Sequence, residues 1–138
     1  MSQSNLEDLF YSQCNAAGLP LPARQLRLIP IQRQKPDHPR ELMTRHKVDF
    51  AWIDEAIVLE VQGGTWGGGR HTRGKGYAGD CWKMAALQLC GWIVYYATGD
   101  QVKSGEALAW ITEAIENAQS KAASRRNQRS KEGASLAG

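Results

Sequence analysis

The sequence predicts an α/β protein: a single domain with a small mixed central sheet flanked by helices. Three observations carry this. Apolar residues recur at helical spacing in residues 4–17, about 77–90 and 104–118. Short β-forming runs lie between them, at Val48–Ile53, Ala56–Gln62 and Trp92–Ala97. A chain of 138 residues fits one core, burying about two-thirds of its unfolded surface without a metal or disulfide staple.

The elements follow in order. In residues 4–17, Leu6, Leu9, Phe10 and Ala17 share a helical stripe; Ser4 can cap the start, and Gly18 followed by Pro20 ends it. All five prolines lie between residues 20 and 39, which predicts extended, loop-like chain there. A short strand is expected at Gln25–Ile29, where Leu26 and Leu28 alternate with polar neighbours. Val48–Ile53 and Ala56–Gln62 read as a hairpin turned tightly at Asp54-Glu55. Residues 63–79 hold eight of the fourteen glycines and read as a long loop. The next helix, about Tyr77–Cys90, draws its stripe from Trp82, Ala85, Ala86 and Leu89 and stops at Gly91. The continuous apolar run Trp92–Ala97 suits an interior strand covered on both faces. Ser104 caps a last helix with Leu108, Ile111, Ile115 and Ala118 on its apolar stripe. From Ser120 the periodicity ends, which predicts a disordered basic tail at 120–138 after a domain at 1–119.

The three cysteines, Cys14, Cys81 and Cys90, are odd in number and lack CxxC spacing, against both a disulfide framework and a structural zinc site. No apolar run reaches the ~18 residues of a membrane span, and no leader pattern opens the chain. A cytoplasmic protein without membrane contact is the expectation.

Charge is segregated. Residues 1–119 hold twelve Lys/Arg against thirteen Asp/Glu, whereas residues 120–138 hold five against one. Within the body, Arg24 to Lys47 is basic, and Asp49, Asp54, Glu55 and Glu60 follow with no basic residue between them. Carboxylates that gather a cation, beside cations that gather a polyanion, suit a metal-dependent enzyme acting on nucleic acid. In a hairpin Asp49 can sit across from Glu60, and Glu60 and Gln62 share a face. Mg²⁺ takes hard oxygen ligands, which Asp49, Glu60 and the backbone carbonyl of Val61 could supply. Placing Glu60 after Ile57-Val58-Leu59 is costly unless a cation or hydrogen bonds compensate it.

The strings Asp49-Phe-Ala-Trp, Glu60-Val-Gln62-Gly-Gly, Gly69-Arg-His-Thr-Arg-Gly-Lys-Gly-Tyr and Asp80-Cys-Trp-Lys83 resemble the PD-(D/E)XK nuclease superfamily. Within it they look most like small phage and prophage endonuclease-like proteins related to very-short-patch-repair endonucleases. The resemblance spans about residues 4–118 and implies an αβββαβ-type, restriction-endonuclease-like sandwich. It implies that Asp49 and Glu60 bind Mg²⁺ or Mn²⁺, and that position 62 is the third catalytic position. That position is Gln62 rather than lysine, and a glutamine carries neither charge nor a transferable proton. Lys83, one helical turn from Asp80, is a candidate for the missing charge; a plain Asp80–Lys83 surface pair is the alternative. Glu7 matches a first-helix carboxylate of the family, or else closes a Ser4-Asn-Leu-Glu7 capping box. His71, in the Gly-rich loop, matches a region where relatives carry an assisting histidine.

The implied activity is a Mg²⁺-dependent endonuclease hydrolysing phosphodiester bonds in DNA, including branched or mismatched DNA. Its backbone contacts would come from Arg45, Lys47, Arg70, Arg73, Lys75, Arg125 and Arg126, with Trp66 stacking on a base. Gly69 to Gly76 falls short of a phosphate-binding P-loop because the hydroxyl position is Gly76, so no nucleotide cofactor is expected. Two other readings stand beside this one: a DNA-binding protein of the same fold without cleavage, and a protein-interaction module whose basic tail meets an acidic partner. No apolar helix face marks an interface, leaving monomer and homodimer both open.

Overall fold

The elements run α1 (Gln3–Ala16), β1 (Ala23–Arg27), β2 (Lys47–Trp52), β3 (Ile57–Gln62), α2 (Lys75–Leu89), β4 (Ile93–Thr98), α3 (Gly99–Lys103) and α4 (Glu106–Ala137). This computed structural model describes residues 1–27, 47–62 and 75–137, without the side chains of 75–77 and 135–137. The protein is a single α/β domain with a small mixed sheet and helices, as the sequence predicts, and its elements run α-β-β-β-α-β-α-α.

The four strands form one mixed sheet in the order β1-β2-β3-β4, antiparallel except for the parallel β3–β4 pair. A parallel pair needs a crossover connection, and α2 provides it. One sheet face packs against α1, α3 and α4 through Leu6, Phe10, Phe50, Leu59, Val102 and Ile111. The Phe10 ring lies 5.0 Å from Phe50 and 6.2 Å from Trp52, the latter edge-on. The other face packs against α2 through Ala51, Val58, Ala86, Leu87 and Cys90. Among the described helices none is long and apolar enough to cross a membrane.

Several local expectations need correction. Ser2, not Ser4, caps α1: its hydroxyl accepts from the Asn5 N–H, so the Ser4–Glu7 capping box does not form. The hairpin turns over four residues, Ile53–Ala56, with Ala56 in the left-handed region at φ 57°. Of the stripe expected on α2, Trp82 and Ala86 face the core, joined by Lys83, Leu87 and, just past the helix, Cys90, while Ala85 and Leu89 are exposed. Gly91, at φ 92°, lets the chain reverse there. Strand β4 is an edge strand among the described residues and only half covered, where an interior strand was expected. Its aromatic side chains satisfy β-propensity without full burial.

A short helix the sequence reading missed, α3, precedes the last one. Thr98 caps it in a full capping box with Gln101, a T-x-x-Q signal legible in the sequence. Ser104 then accepts from the Glu106 N–H at the start of α4. The expected disordered tail is instead helical: α4 runs unbroken for 32 residues to Ala137. Packing at Ala107, Ile111, Ala114 and Ile115 nucleates the helix, and the Ala, Arg, Lys and Gln residues beyond extend it at little cost.

Residues 119–134 are all exposed, so this overhang adds nothing to the core. Deleting residues 121–138 should leave the urea unfolding midpoint unchanged while lowering the helical circular dichroism. Phe10→Ala should cost about 3–5 kcal/mol in the same measurement. A deletion that lowers the midpoint as far as Phe10→Ala does would show that the overhang packs on the domain.

Candidate active site

The site forms where the sheet's alternation breaks. Strands β1 and β2 pair Arg24 with Phe50 and Leu26 with Val48, and Gln25 and Asp49 lie between those pairs. Strict alternation would put residues 48 and 50 on one face. Instead Val48 packs in the α2-side core and Phe50 in the α1-side core. Strand β1 turns over in step. Leu26 packs on the α2 side, while the Arg24 guanidinium lies over Tyr11 and Phe50 at 5.3 and 5.8 Å on the α1 side. Gln25 takes up the reversal with φ 49°, a left-handed conformation that costs a non-glycine residue about 1–2 kcal/mol.

Between β2 and β3 the paired residues end at Phe50–Leu59. One row further on, side chains replace the ladder. The Asp49 N–H donates to Glu60 Oε1 at 2.9 Å, and the Val61 N–H donates to Asp49 Oδ2 at 2.8 Å. Each carboxylate therefore holds the backbone of the opposite strand. Gln25 Nε2 donates to Asp49 Oδ1 at 3.1 Å and to Glu7 Oε1 at 2.6 Å. Lys83 Nζ donates to Glu60 Oε2 at 3.1 Å and to the Lys47 carbonyl at 2.6 Å. Glu7, Gln25, Asp49, Glu60 and Lys83 thus form one continuous network, contributed by α1, β1, β2, β3 and α2 in turn.

Three members of the network are poorly solvated, while Gln25 is exposed and Asp49 half-buried. Glu7 is 6% exposed, and the Glu60 and Lys83 side chains are 15% and 13% exposed. Burial, and next the charge of Asp49, push the Glu60 carboxyl above its ordinary range, against Lys83 and the Asp49 N–H, which pull it down. Tyr96 pairs with Glu60 in the parallel register on β4. Its phenol is pushed up to about 12, chiefly by burial and then by the charges of Glu60, Asp80, Cys81 and Asp49. It is a protonated hydroxyl at neutral pH.

Nine expected residues receive a definite place. Glu7, Asp49, Glu60 and Lys83 are brought together, and Lys83 pairs with Glu60 rather than forming a surface pair with the exposed Asp80. Gln62 lies at the exposed end of β3. The Val61 carbonyl, expected as a metal ligand, accepts from Gln3 Nε2 at 2.8 Å. Lys47 is exposed, and Arg125 and Arg126 stand on the α4 overhang. Arg45, Trp66, Arg70, His71 and Arg73 lie outside the described residues, as does the side chain of Lys75.

Gln25, Tyr96 and Gln3 were missed. Glutamine in a polar strand carries no pattern signal, and Tyr96 sits inside an apolar run.

Among the described residues, no three of His, Cys, Asp and Glu converge into a metal-holding group as they stand. The Gln25 amide spans Glu7 and Asp49, and the Lys83 ammonium holds Glu60. Compared with known proteins, the chain matches no family model, and no curated protein or solved structure is significantly similar to it.

The folded state holds the Glu60 proton more tightly than the unfolded chain does. Ionising Glu60 therefore removes stability as pH rises from the ordinary value of 4.5 through the raised one, and this effect vanishes below 4.5. Carbon-detected NMR titration of the Glu60 carboxyl should give a midpoint above 4.5, and Lys83→Met should move it higher still. A wild-type midpoint at or below 4.5 would contradict the dominance of burial.

Proposed function

We propose that the chain is a Mg²⁺- or Mn²⁺-dependent DNA endonuclease with a restriction-endonuclease-like fold, hydrolysing phosphodiester bonds. The observation that carries this reading is the hydrogen-bonded chain that links three carboxylates, Glu7, Asp49 and Glu60, to one ammonium, Lys83. They meet where the sheet's backbone ladder gives way to side chains.

The donor set fits a hard divalent cation. Its oxygens are carboxylate, its net charge is negative, and it is partly withdrawn from water. Asp49 and Glu60, with Glu7 behind Asp49, would hold the ion. When bound, such an ion activates water and offsets charge on a phosphoryl group. Lys83 supplies the positive charge that Gln62 lacks, from the facing helix instead of the strand. A lysine ammonium can donate to a phosphate oxygen or to water, and the Lys47 carbonyl and Glu60 hold this one in position. Tyr96 adds a neutral hydroxyl on the same row.

DNA as substrate is supported by the order of the cations along the sequence and by those exposed on α4. The basic stretch ending at Lys47 joins β2 at the residue whose carbonyl holds Lys83. The Gly-rich stretch with Arg70, Arg73 and Lys75 connects the end of β3, beside Glu60, to α2. Lys121, Arg125, Arg126, Arg129 and Lys131 are exposed along the α4 overhang, a surface suited to phosphate contacts.

One observation favours a second reading, DNA binding without cleavage: position 62 is an exposed glutamine, and Lys83 already engages Glu60. The test incubates supercoiled, linear, mismatched and four-way-junction DNA with Mg²⁺ or Mn²⁺. Wild type should nick or cut at least one substrate. Asp49→Ala and Glu60→Ala should each lower the rate by about 100-fold or more, and Lys83→Met by at least about 10-fold. If every substrate stays intact while salt-sensitive binding survives Asp49→Ala, the second reading replaces the first. If both mutants still cut, the site assignment fails.

A further inference from the structure

We propose that Gln25 is the positioning residue of this site, a clamp that holds Glu7 and Asp49 together as one unit. The proposal rests on the reading of these carboxylates as a cation site. Three observations on separate parts of the residue converge on it.

The first is the side chain. A single NH₂ group donates to two carboxylates from different elements, Glu7 on α1 and Asp49 on β2. An amide is the one uncharged side-chain group with two N–H donors on one nitrogen, so it bridges two anions without neutralising either. A lysine here would cancel the charge that attracts a cation. An alanine would leave Glu7, which is 6% exposed, without that donor.

The second is the backbone. Gln25 sits at φ 49° inside a strand, where an extended conformation is the default. A local strain of this kind persists only when its surroundings enforce it. The surroundings here are identifiable. Arg24 is held on the α1 side by Asp8 at 2.7 Å and by the Tyr11 and Phe50 rings. Leu26 is held on the α2 side. Left-handed backbone at residue 25 is what allows both anchors to be satisfied.

The third is coincidence of position. Gln25 falls opposite Asp49, on the row where β2 also turns over. A residue that served only to connect Arg24 with Leu26 could be glycine, which takes φ 49° without strain. The strained backbone carries a side chain that reaches both carboxylates, and the clamp accounts for that choice.

Gln25→Gly separates backbone from side chain, since it keeps the left-handed conformation and removes the amide. Its thermal midpoint should stay within about 3 °C of wild type, strain relief offsetting the lost hydrogen bonds. Its Mn²⁺ affinity by isothermal titration calorimetry should fall about 10-fold or more. Gln25→Glu places a third carboxylate between the other two. It should lower the midpoint without cation and enlarge the midpoint increase that saturating Mn²⁺ produces. A merely structural residue would not move these two quantities in opposite directions.

Gln25→Gly binding Mn²⁺ as tightly as wild type overturns the proposal. If wild type binds no Mn²⁺, the cation reading fails by itself, and double-mutant cycles in urea decide the clamp. Coupling of Gln25→Ala with Glu7→Gln and with Asp49→Asn should each exceed about 2-fold in the folding equilibrium constant. Coupling below that with either partner overturns the clamp independently of any metal.

Discussion

The exchange between Asp49 and Glu60, in which each carboxylate accepts a backbone N–H from the opposite strand, is the constraint around which the domain is arranged. An antiparallel pair normally satisfies those N–H groups with carbonyls. Here β2 and β3 give up that pairing one row beyond Phe50–Leu59, and the side chains take it over. Hydrogen bonds to a charged acceptor contribute about 1.5–3 kcal/mol each, more than a neutral ladder bond. They offset part of the cost of placing two carboxylates on adjacent, largely apolar strands. Glu60 still holds its proton more tightly than an ordinary glutamate, so the offset is incomplete.

The helices reach this exchange through their own apolar contacts. Leu6, Phe10 and Cys14 bury α1 against the sheet, and that registration carries Glu7 inward to the Gln25 amide. Across the sheet, Ala86, Leu87 and Cys90 seat α2, and Lys83 lies one turn earlier on the same face. Had the stripe been Ala85 and Leu89, the helix would be rotated and Lys83 would turn from Glu60. The apolar contacts thus act at a distance on the site, because they fix the rotation about each helix axis.

The hairpin was legible because Val48–Ile53 and Ala56–Gln62 are β-forming and bounded by a polar turn, which alone predicts Asp49 opposite Glu60. Lys83 was legible as a candidate by chemistry, although the stripe assigned to its helix was wrong at Ala85 and Leu89. That error has a physical source. Leu89 is more apolar than Ala86 and Cys90, yet it is exposed, because the sheet accepts small residues where the helix approaches closely. The turnover at Gln25 and Asp49 was not legible, since strict period-two reading assumes φ stays negative throughout a strand. The helical overhang was missed for a different reason. Absence of an apolar stripe argues against packing, not against a helix already nucleated by Ala107 to Ala118.

The position of the lysine has a consequence for the fold itself. A lysine at residue 62 would stand at the exposed end of β3, where water screens its charge. At residue 83 it approaches from α2, its side chain 13% exposed, and an ion pair there is screened far less. Removing one of two largely covered partners leaves the other charge poorly compensated, so the pair ties the α2 face to β3. The Lys47 carbonyl, accepting from the same ammonium at 2.6 Å, extends that tie to the first residue of β2. In the proposed reading a cation would compete with Lys83 for Glu60, and the ammonium would then be free to meet a phosphate. Glutamine at 62 is in this view a relocation of charge. It exchanges a solvated lysine on the strand for one whose place is set by helix packing.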